Sequence, residues 1–267
     1  RGRTMIQASR AWRAQGRADG HPLEGSMSTP NTPTIEPAAR RVCEVRWLGR
    51  VPYAAALALQ ADLVRQRTAG LVPDQLLLLE HPHVLTLGRN AKTDHVLVDR
   101  ARLQHLGVEM FEAGRGGDVT YHGPGQLVAY PILDLAPDRC DLHRYVRDLE
   151  RALIAMLGAY GVAAHAEAGR TGVWVERSGA GAAKIAAIGV RVARWITSHG
   201  IALNVHTDLE YFGLIVPCGL QDRAVTSLGA LASAAAPATV RAAGESFAAH
   251  FGLVFDRDML DAGAEWP

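Results

Sequence analysis

Lysine is nearly missing from this chain. Of 28 basic Lys and Arg residues only Lys92 and Lys184 are lysine; elsewhere positive charge is carried by arginine, which keeps its proton in a protein. Cysteine is scarce too, with three residues at 43, 140 and 218. An odd, sparse count builds no disulfide framework and fits a reducing compartment. The spacing also gives no paired zinc-ligand pattern, so no metal site is expected. No apolar run of about 18 residues occurs, which leaves no candidate membrane helix. A basic excess is lacking as well. The net charge is +1, and residues 1–26, with five Arg against Asp19 and Glu24, hold +3 of it, leaving −2 for the rest. A nucleic-acid surface would show as a clustered basic face. Neither a phosphate-cradling Gly-Lys-Ser/Thr loop nor a dinucleotide glycine fingerprint is found.

What remains is a chain of 267 residues, 48% hydrophobic, with ample material for a sizeable core. Residues 1–26 are rich in Arg, Ala and Gly without periodic apolar spacing, and Met27 opens a soft Ser-Thr-Pro segment. Met27 is therefore the expected start. A transit peptide is the alternative, because such segments are Arg-rich and acid-poor. Residues 1–40 are expected to be a disordered extension.

Beyond it the pattern predicts strands and helices in mixed order. Val42–Leu48 reads as a first strand and 52–67 as a helix on Ala56, Leu57, Leu59, Leu63 and Val64, stopped by Gly70. The run Gln75–Glu80 suits a strand buried on both faces, and Val84–Arg89 resumes after His81-Pro82. Residues 93–110 read as a lid or peripheral helix. A strand over Leu127–Leu133 precedes the clearest helix, whose stripe runs from Leu142 to Tyr160 with Asp141 as cap and Gly161 as stop. Strands follow at Val162–Ala166, Gly172–Glu176 and Lys184–Arg194. The last forms a hairpin with Ile196–Val205 through Arg194-Trp195, and a closing helix covers Thr239–Phe251. Strands grouped with flanking helices, and a hairpin without crossover helices, predict an α+β fold: one domain with a mixed or antiparallel sheet.

Chemistry concentrates in three places. Residues 115–126 hold four glycines and a proline, and glycine lets a backbone approach a ligand closely. Alone, such a stretch is as often a structural turn as a ligand wall, and a lone His122 is more often structural than catalytic. Lys184 sits among small apolar residues on a strand. A strand-edge lysine with its head in water is the ordinary reading, but a desolvated lysine can lose its proton. Cys218 lies between Pro217 and Gly219, a setting that can present a thiol at a cleft. A nearby ammonium favours the reactive thiolate, and a lysine amine can pass a proton on. Cys43 and Cys140 read as inert, buried cysteines. A thiol, a titratable amine and an open backbone loop are the parts of an acyl-transfer site.

Six motifs in order, Glu80-His81-Pro82, Arg115 to Gln126, Arg170 to Trp174, Lys184 to Arg191, His199 to Asn204 and Ile215 to Gly219, resemble the octanoyltransferases, also called lipoate–protein ligase B. The likeness covers about residues 43–252 and implies a catalytic domain over 41–256, with a C-terminal tail at 257–267. It implies the α+β fold shared with biotin and lipoate protein ligases, no cofactor, and a monomer; a cytoplasmic location is expected from Met27 as the start. The implied reaction moves an octanoyl group from octanoyl-acyl carrier protein to a lysine of the lipoyl domains of 2-oxoacid dehydrogenase acyltransferase subunits and of the glycine cleavage H protein. Cys218 would carry the acyl group as a thioester, with Lys184 as acid/base. Arg115, Gly116, Gly117, Asp118, Val119, Thr120, Tyr121 and His122, then Ala187, Ile188 and Gly189, then Gly200, Ile201 and Ala202, would line the acyl site. His81 and His199 are open between positioning and structural roles. Rival readings are an ATP-dependent ligase of the same fold, an acyl-binding protein without catalysis, and a cysteine hydrolase using Cys218 with His122.

Overall fold

The computed structural model describes residues 40–177, 179, 181–216, 224–231, 237 and 239–263. Its centre is β2 (Asp74–Glu80), the run of consecutive leucines. Successive strand residues point to opposite faces, so Leu76 and Leu78 enter one core while Leu77 and Leu79 enter another. A run apolar at every position therefore calls for cover on both sides. β1 (Arg41–Arg50) lies parallel to β2, and β6 (Gln126–Ile132) antiparallel on its other side. The sheet extends through β10 (Ile196–Asn204), β9 (Gly181–Ala193), β8 (Arg170–Arg177) and β7 (Ala164–Glu167), all antiparallel. β11 (Arg257–Asp261) closes the opposite edge, parallel to β1. The expected mixed sheet thus has eight strands, in the order β11-β1-β2-β6-β10-β9-β8-β7.

One face is covered by α3 (Leu142–Ala159) and α4 (Val240–Phe255). Both start on side-chain caps, which satisfy N–H groups that have no partner in the first turn. Asp141 accepts from Arg144 N at 3.0 Å, and Thr239 from Ala242 N at 3.1 Å. The opposite face carries α1 (Tyr53–Thr68), whose inward side bears Tyr53, Ala56, Gln60 and Leu63. Two of those four are polar, and both matter below. A second sheet, β4 (Glu109–Glu112), β3 (Val84–Leu87) and β5 (Val119–His122), stands beside the first, with α2 (Arg100–His105) packed on it.

Four readings of the sequence need correction. Residues 93–110 are no single helix: they form a 3-10 turn at Thr93–His95, then α2, then the first residues of β4. The glycine-rich stretch contains a strand, β5. Residues 257–261, read as part of a tail, are β11, built into the sheet through a buried Arg257. Cys43 is buried as expected, but Cys140 is exposed. Of the N-terminal residues 1–40 expected to be disordered, 1–39 lie outside the described residues.

Asp74 ties these layers together. Its carboxylate, 1% exposed, accepts from Arg67 Nε and Arg257 Nε, both at 2.8 Å, and from the backbone N–H of Asp134 at 3.0 Å. One acid thereby holds α1, β11 and the end of β6 to β2. Removing one member of a buried charge cluster leaves the others uncompensated. Asp74→Ala is expected to cost about 3–5 kcal/mol of unfolding free energy in urea titrations; a loss under about 1 kcal/mol would mean that the arginines rank with exposed ion pairs.

Candidate active site

β9 and β10 form the floor of a cavity of about 370 Å³. Gly189 stands directly opposite Gly200, and Ala187 opposite Ala202, all four lining the space. Ile188 and Ile201, the pair between them, also border it. Gly200 is required by close packing, since a Cβ there would meet Ala129 O at 2.1 Å. The bare hairpin accepts Arg115, which crosses it so closely that a Cβ on Gly189 would lie 3.0 Å from Arg115 Cδ. Arg115 is 7% exposed and donates from Nη2 to Thr86 O at 2.5 Å and to Thr86 Oγ1 at 2.8 Å. Its loop is anchored on both sides, Gly116 N to Val190 O at 2.9 Å and Asn90 N to Gly117 O at 3.0 Å.

Twelve of the fourteen expected lining residues border this cavity; Gly116 and Tyr121 do not. Gly116 holds the loop to β9 instead. Along β5 alternate residues face opposite ways, so Thr120 and His122 turn inward while Tyr121 enters the core beside the second sheet. There its hydroxyl bonds His83 Nδ1 at 2.8 Å.

His122 belongs to a hydrogen-bonded chain whose direction is set. Gln126 Nε2 donates to Asn204 Oδ1 at 2.9 Å and to Tyr121 O at 3.2 Å. The other amide atom, Oε1, therefore accepts, and His122 Nδ1, 2.8 Å away, carries the proton. His122 Nε2 is then an acceptor, facing the Thr86 hydroxyl at 3.4 Å. At the far end Asn204 Nδ2 donates to Thr226 O at 3.0 Å, and Thr226 N donates to Lys184 O at 2.9 Å. The chain thus runs from Arg115 to the backbone of Lys184.

The histidines here are neutral. Burial, then the nearby His81 and Arg115, lower His122 to about 3. Burial lowers His81 to about 4, and both its ring nitrogens are committed, to Val51 O at 2.6 Å and Tyr130 OH at 2.8 Å. Its role is structural. His199, lowered to about 4 mainly by burial, lines the cavity.

Lys184 lies toward the other end. The β8–β9 pairing shifts register where Trp174 pairs with Lys184 and Val173 with Ala186. Such a bulge re-aims a side chain, and Lys184 borders the cavity. Its Nζ sits 4.7 Å from the centre of the Trp174 ring and donates to Thr171 O at 3.3 Å. Its backbone N–H bonds Ala224 O at 2.9 Å. Cys218 lies outside the described residues. The chain before it is fixed at Val216, whose N–H donates to His95 O at 2.8 Å, and His95 Nδ1 lies 2.5 Å from Asp118 Oδ2.

Residues 52–252 match the family of lipoyl protein ligase A/B catalytic domains. An octanoyltransferase of Solibacter usitatus is 53% identical over 82% of this chain and 96% of its own length. One of Chloroflexus aurantiacus is 50% identical over 80% and 95%. The chain belongs to the octanoyltransferase family. A bipartite lipoate protein ligase of Thermoplasma acidophilum superposes with a TM-score of 0.66 at 16% identity, covering 85% of this chain and 88% of that one. A lipoate-protein ligase A bound with ATP gives 0.64 at 17%, covering 83% and 89%. At such identities these structures establish the common α+β fold. This octanoyltransferase draws on residues that sequence reasoning passed over: Tyr53, Asn90 and Tyr130 line the cavity, and His95 braces Asp118. No local signal marks them, because their strands and helices are distant in sequence.

The neutral histidines make stability depend on pH with a definite sign. Their folded values lie below the ordinary 6.5, near 4 for His81 and His199 and near 3 for His122. The unfolded chain therefore takes up protons that the folded octanoyltransferase refuses, and stability, complete above pH 6.5, falls as pH drops toward 4. Each histidine adds a slope of about 1.4 kcal/mol per pH unit. His199→Asn, with a residue that tolerates the left-handed backbone at φ 55, is expected to lower that slope by one proton's worth in urea unfolding between pH 6.5 and 4.5. An unchanged slope would contradict a neutral His199.

Proposed function

We propose that the cavity holds an octanoyl chain delivered as a thioester of acyl carrier protein, and that Cys218 and Lys184 pass it to a lysine of a lipoyl domain. The thiolate of Cys218 attacks the thioester carbonyl, a new thioester forms, and the carrier thiol leaves with a proton relayed by Lys184. The neutral amine of the acceptor lysine then attacks the acyl-enzyme. An amide forms, the Cys218 thiolate leaves, and Lys184 takes up the amine's proton. Exchange of one thioester for another is close to neutral in energy, so nucleotide activation is not needed. The acceptors in this reading are the lipoyl domains of 2-oxoacid dehydrogenase complexes and the glycine cleavage H protein, in the cytoplasm.

The observation carrying this reading is the placement of Lys184. A strand bulge aims the amine into a cavity floored by alanine, glycine and isoleucine, and its backbone is bonded to the segment that resumes six residues after Cys218. Burial of an alkyl chain contributes about 0.8 kcal/mol per methylene, enough to hold eight carbons without a charged anchor. A ligase reading would require ATP for the same transfer.

Intact mass after incubation with octanoyl-acyl carrier protein, without nucleotide, tests the proposal. The native chain is expected to gain one octanoyl group and Cys218→Ala none. Lys184→Ala is expected to slow acylation by about 10²–10⁴-fold, the usual weight of a general acid/base. A native chain that acquires its acyl group only with ATP would transfer the case to the ligase reading.

A further inference from the structure

The cavity changes character along its length. From Lys184 to Gly189 is five residues of β9, roughly 15 Å of strand. At the Lys184 end the amine meets Thr171 O, and farther along the strand pair Ala187 and Ala202 give an apolar lining. The far end is polar but, apart from Arg115, uncharged. His199, next to Gly200 in β10, lines the cavity together with His122, Tyr53 and Tyr130, and its ring centre lies 6.3 Å from that of Tyr130.

His199 stands out among them. It is 4% exposed and lines the cavity, and its ring has no hydrogen-bond partner among the described residues. His122 and Tyr130, by contrast, are engaged with Gln126 and His81. The backbone of His199 is held in the left-handed region at φ 55 in mid-strand, where non-glycine residues pay a conformational cost. The bond from His199 N to Gln60 Oε1, 2.8 Å, fastens it to α1. One helical face of α1 also supplies Tyr53, 2% exposed, whose hydroxyl is without a partner among the described residues. A buried polar group without a partner is costly and is normally satisfied by water or ligand. Two polar side chains lining an alkyl site, one on a strained backbone and one with an unpartnered hydroxyl, serve no evident packing purpose.

We propose that His199, with Tyr53 also lining the cavity, sets the acyl chain length by acting as an uncharged polar stop that longer chains would have to desolvate. The proposal rests on the reading above, in which the acyl carbonyl lies at the Lys184 end. A methylene gains by leaving water for the alanine and isoleucine surface of the middle section. A ninth or tenth carbon would be laid against the imidazole, gaining little and depriving it of hydrogen-bonding partners. Selection by desolvation differs from selection by a wall: a chain of the right reach ending in a hydroxyl satisfies the stop, and removing polarity without volume relaxes it.

The test compares kcat/KM for octanoyl-, decanoyl- and 8-hydroxyoctanoyl-acyl carrier protein in the native enzyme, His199→Leu and Tyr53→Phe. The native enzyme is expected to favour octanoyl over decanoyl and to retain the 8-hydroxy chain. Each variant is expected to raise the decanoyl-to-octanoyl ratio about tenfold, as one unpaired polar group is removed, and to lower the 8-hydroxyoctanoyl-to-octanoyl ratio. Ratios within one enzyme cancel any loss of folded protein or of acid/base chemistry, so a merely structural role would leave them unmoved. Unchanged ratios in both variants would overturn the polar stop and leave the catalytic reading intact. Failure of the native enzyme to form an acyl-enzyme at Cys218 would overturn the catalytic reading and, with it, the stop.

Discussion

At Gly200 the β10 backbone lies so close to β6 that a Cβ would sit 2.1 Å from a carbonyl oxygen, and opposite it Gly189 is equally bare. This absence of side chains is what the site depends on. A Cβ on Gly189 would press on Arg115 Cδ at 3.0 Å and displace the side chain whose guanidinium reaches Thr86 on the neighbouring sheet. The loop carrying Arg115 would then lose the position from which Gly117, Asp118 and Thr120 close the cavity. Two sheets with separate cores are thus joined through one arginine that fits only over glycine.

From Arg115 the order spreads as a directed set of hydrogen bonds. Thr86, His122, Gln126, Asn204 and Thr226 follow in turn, each donor matched to an acceptor, and the last bond reaches the backbone of Lys184. A buried network satisfied at every member is rigid, and the low dielectric that strengthens its bonds penalises any broken one. It also explains why the histidines carry no charge: an extra proton on His122 would have to face Arg115 in a buried setting. They therefore hold shape and hydrogen-bond direction.

Much of this was readable in the sequence, where the cause is local. The α3 helix announces itself through its apolar stripe and the Asp141 cap, and the β9–β10 hairpin through the turn at Arg194-Trp195, both with positive φ. The leucine run of β2 could only be a strand covered on both faces. What escaped depends on distant partners. Arg257–Asp261 is short and, as Arg-Asp-Met-Leu-Asp, shows no strand alternation, yet it pairs with β1 and is anchored where Arg257 meets Asp74, 183 residues away. Glu109–Glu112 is an edge strand with exposed acids, which reads as loop. Within the glycine-rich motif the sequence marks a ligand wall but not which residues face it, since Tyr121 and His122 differ only by strand alternation. Tyr53, Tyr130 and His199 come from a helix and two strands, and nothing in one dimension brings them together.

The uneven use of lysine and arginine now has a physical reading. Arginine serves where a charge must be permanent and several bonds must be directed from one side chain. Arg67 and Arg257 do this at Asp74, Arg139 at Asp148, and Arg115 at Thr86. These are structural tasks, and a residue that shed its proton would fail at them. Lys92 is exposed, where the choice matters little. Lys184 is the exception by position: on a bulged strand it borders the cavity, with its Nζ 4.7 Å from the centre of the Trp174 ring and 3.3 Å from Thr171 O. In the proposed transfer the group beside the thiol must first favour a thiolate and then give and take a proton within one turnover. Arginine meets the first requirement and fails the second, and neutral, buried histidine fails the first. Among the basic side chains this chain uses, lysine alone meets both, which is what the proposed transfer asks of Lys184.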